Sequence, residues 1–197
     1  MTMRSRAVTS GRTRALGRLQ LVGALLVLPL SQARGNPPEA RMQITSSSFT
    51  HQGSIPAKYT CEGSDTSPPL AWSGLPASAK SLALIVDDPD APDPKAPKMT
   101  WVHWVLYAIP AQTSSLAEGS SKSLPPGTRD GVNDWKRTGY GGPCPPIGRH
   151  RYFFKLYALD TVLPDLAKPT KADLLKAMEG HIVGTAELVG TYQKGQK

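Results

Sequence analysis

Asp88-Pro89-Asp90-Ala91-Pro92 closes one apolar run of the chain, His103 lies inside a second, and His150 opens a third. A carboxylate accepts hydrogen bonds, a neutral imidazole offers one donor and one acceptor, and an imidazolium offers two donors. Gathered in one place, such groups suit a compact anion such as a phosphate monoester. The histidines can donate to it, while a carboxylate fixes their tautomers or accepts a proton from the ligand. Each residue also has a plainer use. Asp88 can cap the turn before Pro89, and Asp90 reads as a turn cap as well. A histidine in an apolar strand, as at His103, is ordinarily a core residue, and His150 between Arg149 and Arg151 reads as surface. Only together do they point to a pocket.

The elements that would position them are strands. Ser81–Asp87 is apolar on both faces, as in a buried strand, and Trp101–Ile109 and Arg151–Leu159 are similar runs. Gly184–Tyr192 reads as the last strand. Alternation puts Trp101, His103, Val105 and Tyr107 on one face, and His150, Tyr152, Phe154 and Leu156 on another. Asp88 is in phase with Leu82, Leu84 and Val86. Each polar residue thus ends an apolar stripe, where a core meets loops. One helix is clear: Thr170 is its N-cap, Asp173 lies three residues on, Leu174, Leu175 and Met178 form its stripe, and it ends at Gly180. Pro- and Gly-rich connections separate these elements. The fold class is mainly β, an antiparallel β-sandwich with one or two peripheral helices.

The chain has 197 residues, which suits one domain. Arg4, Arg6, Arg12, Arg14 and Arg18 precede an apolar run from Leu19 to Leu30, and Ser31-Gln32-Ala33 supplies small residues for cleavage. Residues 1–33 therefore read as a secretory signal peptide, with the mature protein periplasmic or secreted. The run is too short for a transmembrane anchor. The competing reading is translation from Met42 and a cytoplasmic protein. Residues 34–41, with Pro37-Pro38, read as a disordered lead-in, and 42–197 as the domain. Five of the 23 Lys and Arg, and none of the 15 Asp and Glu, fall in the signal segment, so the net charge drops from +8 to +3 without it. No basic stripe remains for nucleic acid. Cys61 and Cys144 are the two cysteines. In an exported protein they suit a disulfide that would hold the loop around Cys144; in a cytoplasmic one they suit free thiols.

The run Asp88-Pro89-Asp90-Ala91-Pro92, then Trp101-Val102-His103-Trp104, then Tyr140 to Tyr152 (YGGPCPPIGRHRY) resembles the phosphatidylethanolamine-binding protein family, in its bacterial Raf-kinase-inhibitor-like branch. The resemblance spans about Met42 to Lys194. It implies a β-sandwich with a small anion pocket at one end that takes phosphoethanolamine head groups or related anions. Residue by residue, it implies ligand-binding roles for Asp88, Asp90, Trp101, His103, His150 and Tyr152, with the backbone of Gly142 and Pro143 closing the rim. Trp101 and Tyr152 would offer an aromatic wall to an ammonium group. Arg151, on the opposite face, reads as structural and paired with an acid such as Asp90. Val102 stands where animal members carry a second histidine, and Cys144 where a proline stands. The long C-terminal helix that screens the mammalian pocket has no counterpart after the last strand. The pocket is then more open, or is closed by a second subunit in a homodimer.

Three function classes compete. The leading one is non-catalytic binding of phosphate esters or phospholipid head groups, with no metal and no cofactor, in a protein that could modulate another. The second is a protein-interaction module acting as a kinase or protease inhibitor. The third is a metal-assisted hydrolase, against which stands the lack of an H-x-H, an H-E-x-x-H or a nucleophile elbow.

Overall fold

The computed structural model describes residues 41–195. The expected signal segment, 1–33, and the lead-in, 34–41 apart from Arg41, lie outside the described residues. In chain order the elements are β1 (Gln43–Thr45), β2 (Leu70–Ser73), β3 (Ser81–Asp88), β4 (Trp101–Pro110), β5 (Ser115–Leu116), β6 (Arg129–Asp130), β7 (His150–Leu159), α1 (Lys171–Met178) and β8 (Ile182–Tyr192). Two antiparallel sheets result, one of three strands in the order β1-β2-β5 and one of five in the order β6-β4-β3-β7-β8.

β3 occupies the middle of the larger sheet and is buried along its whole length. Leu82, Leu84 and Val86 point to the smaller sheet, where they meet Trp104, Leu106, Phe154 and Leu156. Ala83 and Ile85 point the other way, into a second apolar layer with Leu159, Leu163, Leu174 and Met178. An antiparallel strand commonly alternates polar and apolar residues; β3 does not, because a sheet covers one face and α1 the other. Each Leu, Ile, Val, Phe or Met side chain among these contributes about 1.5–3 kcal/mol on full burial.

The helix has the expected cap. The Thr170 hydroxyl accepts from the Asp173 N–H (3.3 Å), and the Thr170 N–H donates to the Asp173 carboxylate (3.1 Å). Lys171, the first helical residue, reaches the fully buried Asp87 at 2.5 Å, and Lys155 reaches the same carboxylate at 2.9 Å. Asp87 therefore fastens the helix to the sheet. Asp87→Ala is expected to lower the free energy of unfolding by about 3 kcal/mol, since two partly buried ammonium groups lose their counter-ion. Urea denaturation reads this directly; a loss under about 0.5 kcal/mol would show that the three charges only break even.

β4 departs from the expected alternation. Val86 pairs with Trp104 but Asp87 with Val102, so His103 is an extra residue, a β-bulge. A second irregularity falls between the Leu84–Leu106 and Leu82–Ile109 pairs, where Ala108 has φ 51°. Trp101, His103, Val105 and Tyr107 consequently do not share one face. Val102, Val105 and Tyr107 pack on the helix side, while Trp104 joins Leu106 between the sheets. The bulge turns the His103 side chain toward the face that carries Asp88 and Tyr152.

Candidate functional site

Asp88 ends β3, and the chain turns at once because Asp88 Oδ1 accepts from the Asp90 N–H (2.8 Å). The turn-capping use of Asp88 is thus real, and it occupies only one oxygen. Oδ2 lies 2.7 Å from His150 Nδ1 on the neighbouring strand β7. The other ring nitrogen of His150 donates to the Ile147 carbonyl (3.0 Å). A carbonyl only accepts, so Nε2 carries a hydrogen. Between Nδ1 and Asp88 there is then one shared proton: an imidazolium faces a carboxylate, or a neutral imidazole accepts from a carboxylic acid. Both residues are buried. Burial pushes the Asp88 carboxyl above its ordinary range, against the opposing pull of the His150 hydrogen bond. Both His150 nitrogens are thus engaged within the protein, at Asp88 and at Ile147.

His103 is arranged differently. Its Nδ1–H donates to the Gly141 carbonyl (2.6 Å), and the Gly141 N–H bonds back to the His103 carbonyl (3.0 Å). Nε2 is buried and has no partner among the described residues. Burial holds this imidazole down at about 4, so the ring is neutral near pH 7 and Nε2 presents a lone pair. The Tyr152 hydroxyl is likewise buried without a partner, and burial pushes it well above the ordinary tyrosine range. The His103 and Tyr152 rings meet edge to face, with centroids 5.1 Å apart and planes at 82°.

These groups line a cavity of 340 Å³ together with Trp101, Trp135, Met99, Pro92, Cys144, Pro145 and Pro146. Asp88, His103, His150 and Tyr152 stand at its bottom and its mouth is apolar: Met99, Trp135 and Ile147 are 53%, 40% and 58% exposed there or on the loop that forms it. Trp135 was not singled out from the sequence. Its ring stands edge-on to Trp101 (5.4 Å) and to His103 (5.1 Å), over the backbone of Gly141. A Cβ on Gly141 would fall 2.4 Å from that ring, so any larger residue there would displace Trp135. Asn133 holds the turn, its side-chain oxygen accepting from the Trp135 N–H (3.0 Å). An aromatic residue in the polar segment Asn133 to Arg137 was the available signal.

Three of the expected ligand contacts stand outside the cavity lining. Both oxygens of Asp90 are taken by Arg151, at 2.7 Å and 2.9 Å from the guanidinium and 2.9 Å from the backbone N–H. These bonds hold the Asp90 carboxyl below its ordinary range. Gly142 and Pro143 lie one step behind the rim. The Gly142 N–H donates to Asp65 (2.6 Å), the Pro143 carbonyl accepts from the Cys61 N–H (3.1 Å), and the Tyr140 hydroxyl donates to the Tyr59 carbonyl (2.9 Å). A Cβ on Gly142 would lie 2.4 Å from the Tyr59 carbonyl oxygen, so this glycine permits close packing of two loops. A disulfide between Cys61 and Cys144 joins the same loops and places Cys144 in the cavity wall. Among the described residues, no three His, Cys, Asp or Glu side chains converge as metal ligands, and no helix is long and apolar enough to cross a membrane.

A β-sandwich that carries a small polar pit under an apolar mouth at one end has the build of a ligand-binding protein. Residues 45–193 match the family model for phosphatidylethanolamine-binding protein, and the chain belongs to that family. A UPF0098 protein of Methanothermobacter thermautotrophicus is 50% identical over 156 residues, 78% of this chain and 100% of the relative. Among solved structures, a phosphatidylethanolamine-binding protein homologue from Chlamydia trachomatis is similar at 47% identity and a TM-score of 0.72, over 79% of this chain and 99% of the other. Escherichia coli YbcL, described as a member of the mammalian PEBP family, matches at 33% identity and a TM-score of 0.71, over 78% and 99%.

Proposed function

We propose that this protein binds small phosphate-bearing ligands of the phosphoethanolamine kind in the end cavity, without transforming them, after export from the cytoplasm. The observation that carries this reading is the pair of buried, unpartnered polar atoms on two residues that line the cavity, His103 Nε2 and Tyr152 Oη. A buried polar group without a partner costs about 1–3 kcal/mol, and a ligand that satisfies it recovers that energy. Tyr152 donates to a phosphoryl oxygen. The Asp88–His150 pair carries no net charge in either of its forms, so no free carboxylate repels the anion. Trp101 and Trp135 line the cavity, where an aromatic ring attracts an ammonium group. Export is supported by the signal-like residues 1–33 and by the Cys61–Cys144 disulfide, a bond that persists in oxidising compartments.

The test is an NMR titration with O-phosphoethanolamine. Saturable shifts at Asp88, His103, Trp135 and Tyr152 are expected, and Tyr152→Phe should weaken binding about tenfold, by one hydrogen bond to a charged group. That variant deletes an unsatisfied hydroxyl and leaves the fold intact. An absence of shifts at millimolar ligand in folded protein would overturn the reading and bring protein-partner recognition forward.

A further inference from the structure

The donors and acceptors of the cavity restrict the protonation state of what it can hold. His150 has no free N–H, because Asp88 and Ile147 take both nitrogens. His103 has spent its one hydrogen on Gly141 and turns a lone pair to its unpartnered side. Tyr152 alone brings an uncommitted hydroxyl among the buried groups of the cavity. A phosphate dianion is acceptor only, so against the His103 lone pair it meets repulsion unless a hydrogen lies between them.

We propose that the cavity selects phosphate monoesters over phosphodiesters, because its ligand is bound with one added proton shared between a phosphoryl oxygen and His103 Nε2. This rests on the anion-site reading above. A monoester can bring the proton itself, since its second ionisation lies near ~6; at pH 7.5 this costs roughly thirtyfold in affinity. A diester has no such ionisation, and the proton must then reside on His103. With that ring held at about 4, the cost at pH 7.5 is roughly three thousandfold. The expected preference for the monoester is the ratio, about a hundredfold.

The charges around His103 leave it as the group that changes state. From β3, Asp87 is engaged by Lys155 and Lys171, and Asp88 by His150. From the segment between β6 and β7, Asp134 accepts from the Val102 N–H (2.7 Å) and lies 3.9 Å from Lys136, and Trp135 is uncharged. From β7, Tyr152 is neutral, and His150 shares its proton with Asp88. The Asp88–His150 pair is the one competing place for an added proton.

The test is calorimetry with O-phosphoethanolamine, and with glycerophosphoethanolamine as the diester bearing the same ammonium group. Buffers of different ionisation enthalpy report the protons taken up. Near pH 7.5 the expected result is uptake of about one proton per monoester, falling toward zero near pH 5, and diester binding about a hundredfold weaker. His103→Gln sets an amide that can donate in place of the lone pair. Whatever its effect on monoester affinity, it should bring proton uptake near zero and shrink the preference to less than about tenfold. Equal affinity for the two esters, or monoester binding without proton uptake, would overturn the proposal. Undiminished uptake in His103→Gln would also overturn it, by moving the proton to Asp88–His150. Failure of both esters to bind at any pH would remove the anion site itself, and the proposal with it.

Discussion

Acidification from pH 7 to pH 4 is expected to remove about 3 kcal/mol of folding stability through His103 alone. Burial places this imidazole at about 4 in the folded protein, against ~6.5 in the unfolded chain. Between those values the unfolded chain binds the proton and the native protein does not. The contribution is fully present above ~6.5 and is lost as the pH falls through the folded value. The Gly141 carbonyl accepts from Nδ1–H in either charge state, so the penalty falls on the second nitrogen, which has no acceptor when it is protonated. Urea denaturation at both pH values should show the loss in the native protein and its absence in His103→Gln. Equal acid sensitivity in the two would refute the assignment. An anion that pairs with the protonated ring converts this acid liability into a gain, so bound phosphate should blunt the loss.

Removal of the disulfide with the Cys61→Ser/Cys144→Ser double variant is expected to cost about 4 kcal/mol. The bridge spans 83 residues of sequence, and its main effect falls on the unfolded chain, where it forbids the more extended conformations. The native loops remain joined without it by Tyr140 to Tyr59, Gly142 to Asp65 and Cys61 to Pro143. The shift in urea midpoint should therefore come with little change at the cavity. A loss below about 1 kcal/mol would mean that the unfolded chain is already held compact without the cross-link.

The larger sheet was legible because its four long strands coincide with apolar runs, and α1 because Thr170 and Asp173 announce its start. β1, β2, β5 and β6 were not foreseen. They are two to four residues long in polar or Pro-rich segments; β1, β2 and β5 pair as the sheet that covers the larger one, and β6 is a two-residue edge strand beside β4. Within the site, Asp88, Trp101, His103, His150 and Tyr152 were read correctly as neighbours lining one cavity. The β-bulge at His103 was invisible to a strict period of two, and so was the transfer of Val105 and Tyr107 to the helix side. For Asp90 the sequence offered two uses, a ligand contact and a partner for Arg151, and in the structure both of its oxygens go to Arg151. Trp135 escaped because its position depends on a turn fastened by Asn133, not on any strand.

The two walls of the mouth are built to different tolerances. On one side, Cys144, Pro145 and Pro146 belong to a loop riveted to residues 59–65 by a covalent bond and three hydrogen bonds. On the other, Pro92 to Thr100 carries Met99, and it closes on itself through bonds from Lys98 and Met99 to the Ala91 carbonyl, anchored at its root by Asp90 and Arg151. The two sides of the mouth are therefore fastened unequally. Length can be added to or taken from Pro92–Thr100 while the residues at the bottom of the cavity stay in register. In the design of variants, that segment is the place to graft new sequence, and the riveted loop is the place to leave alone.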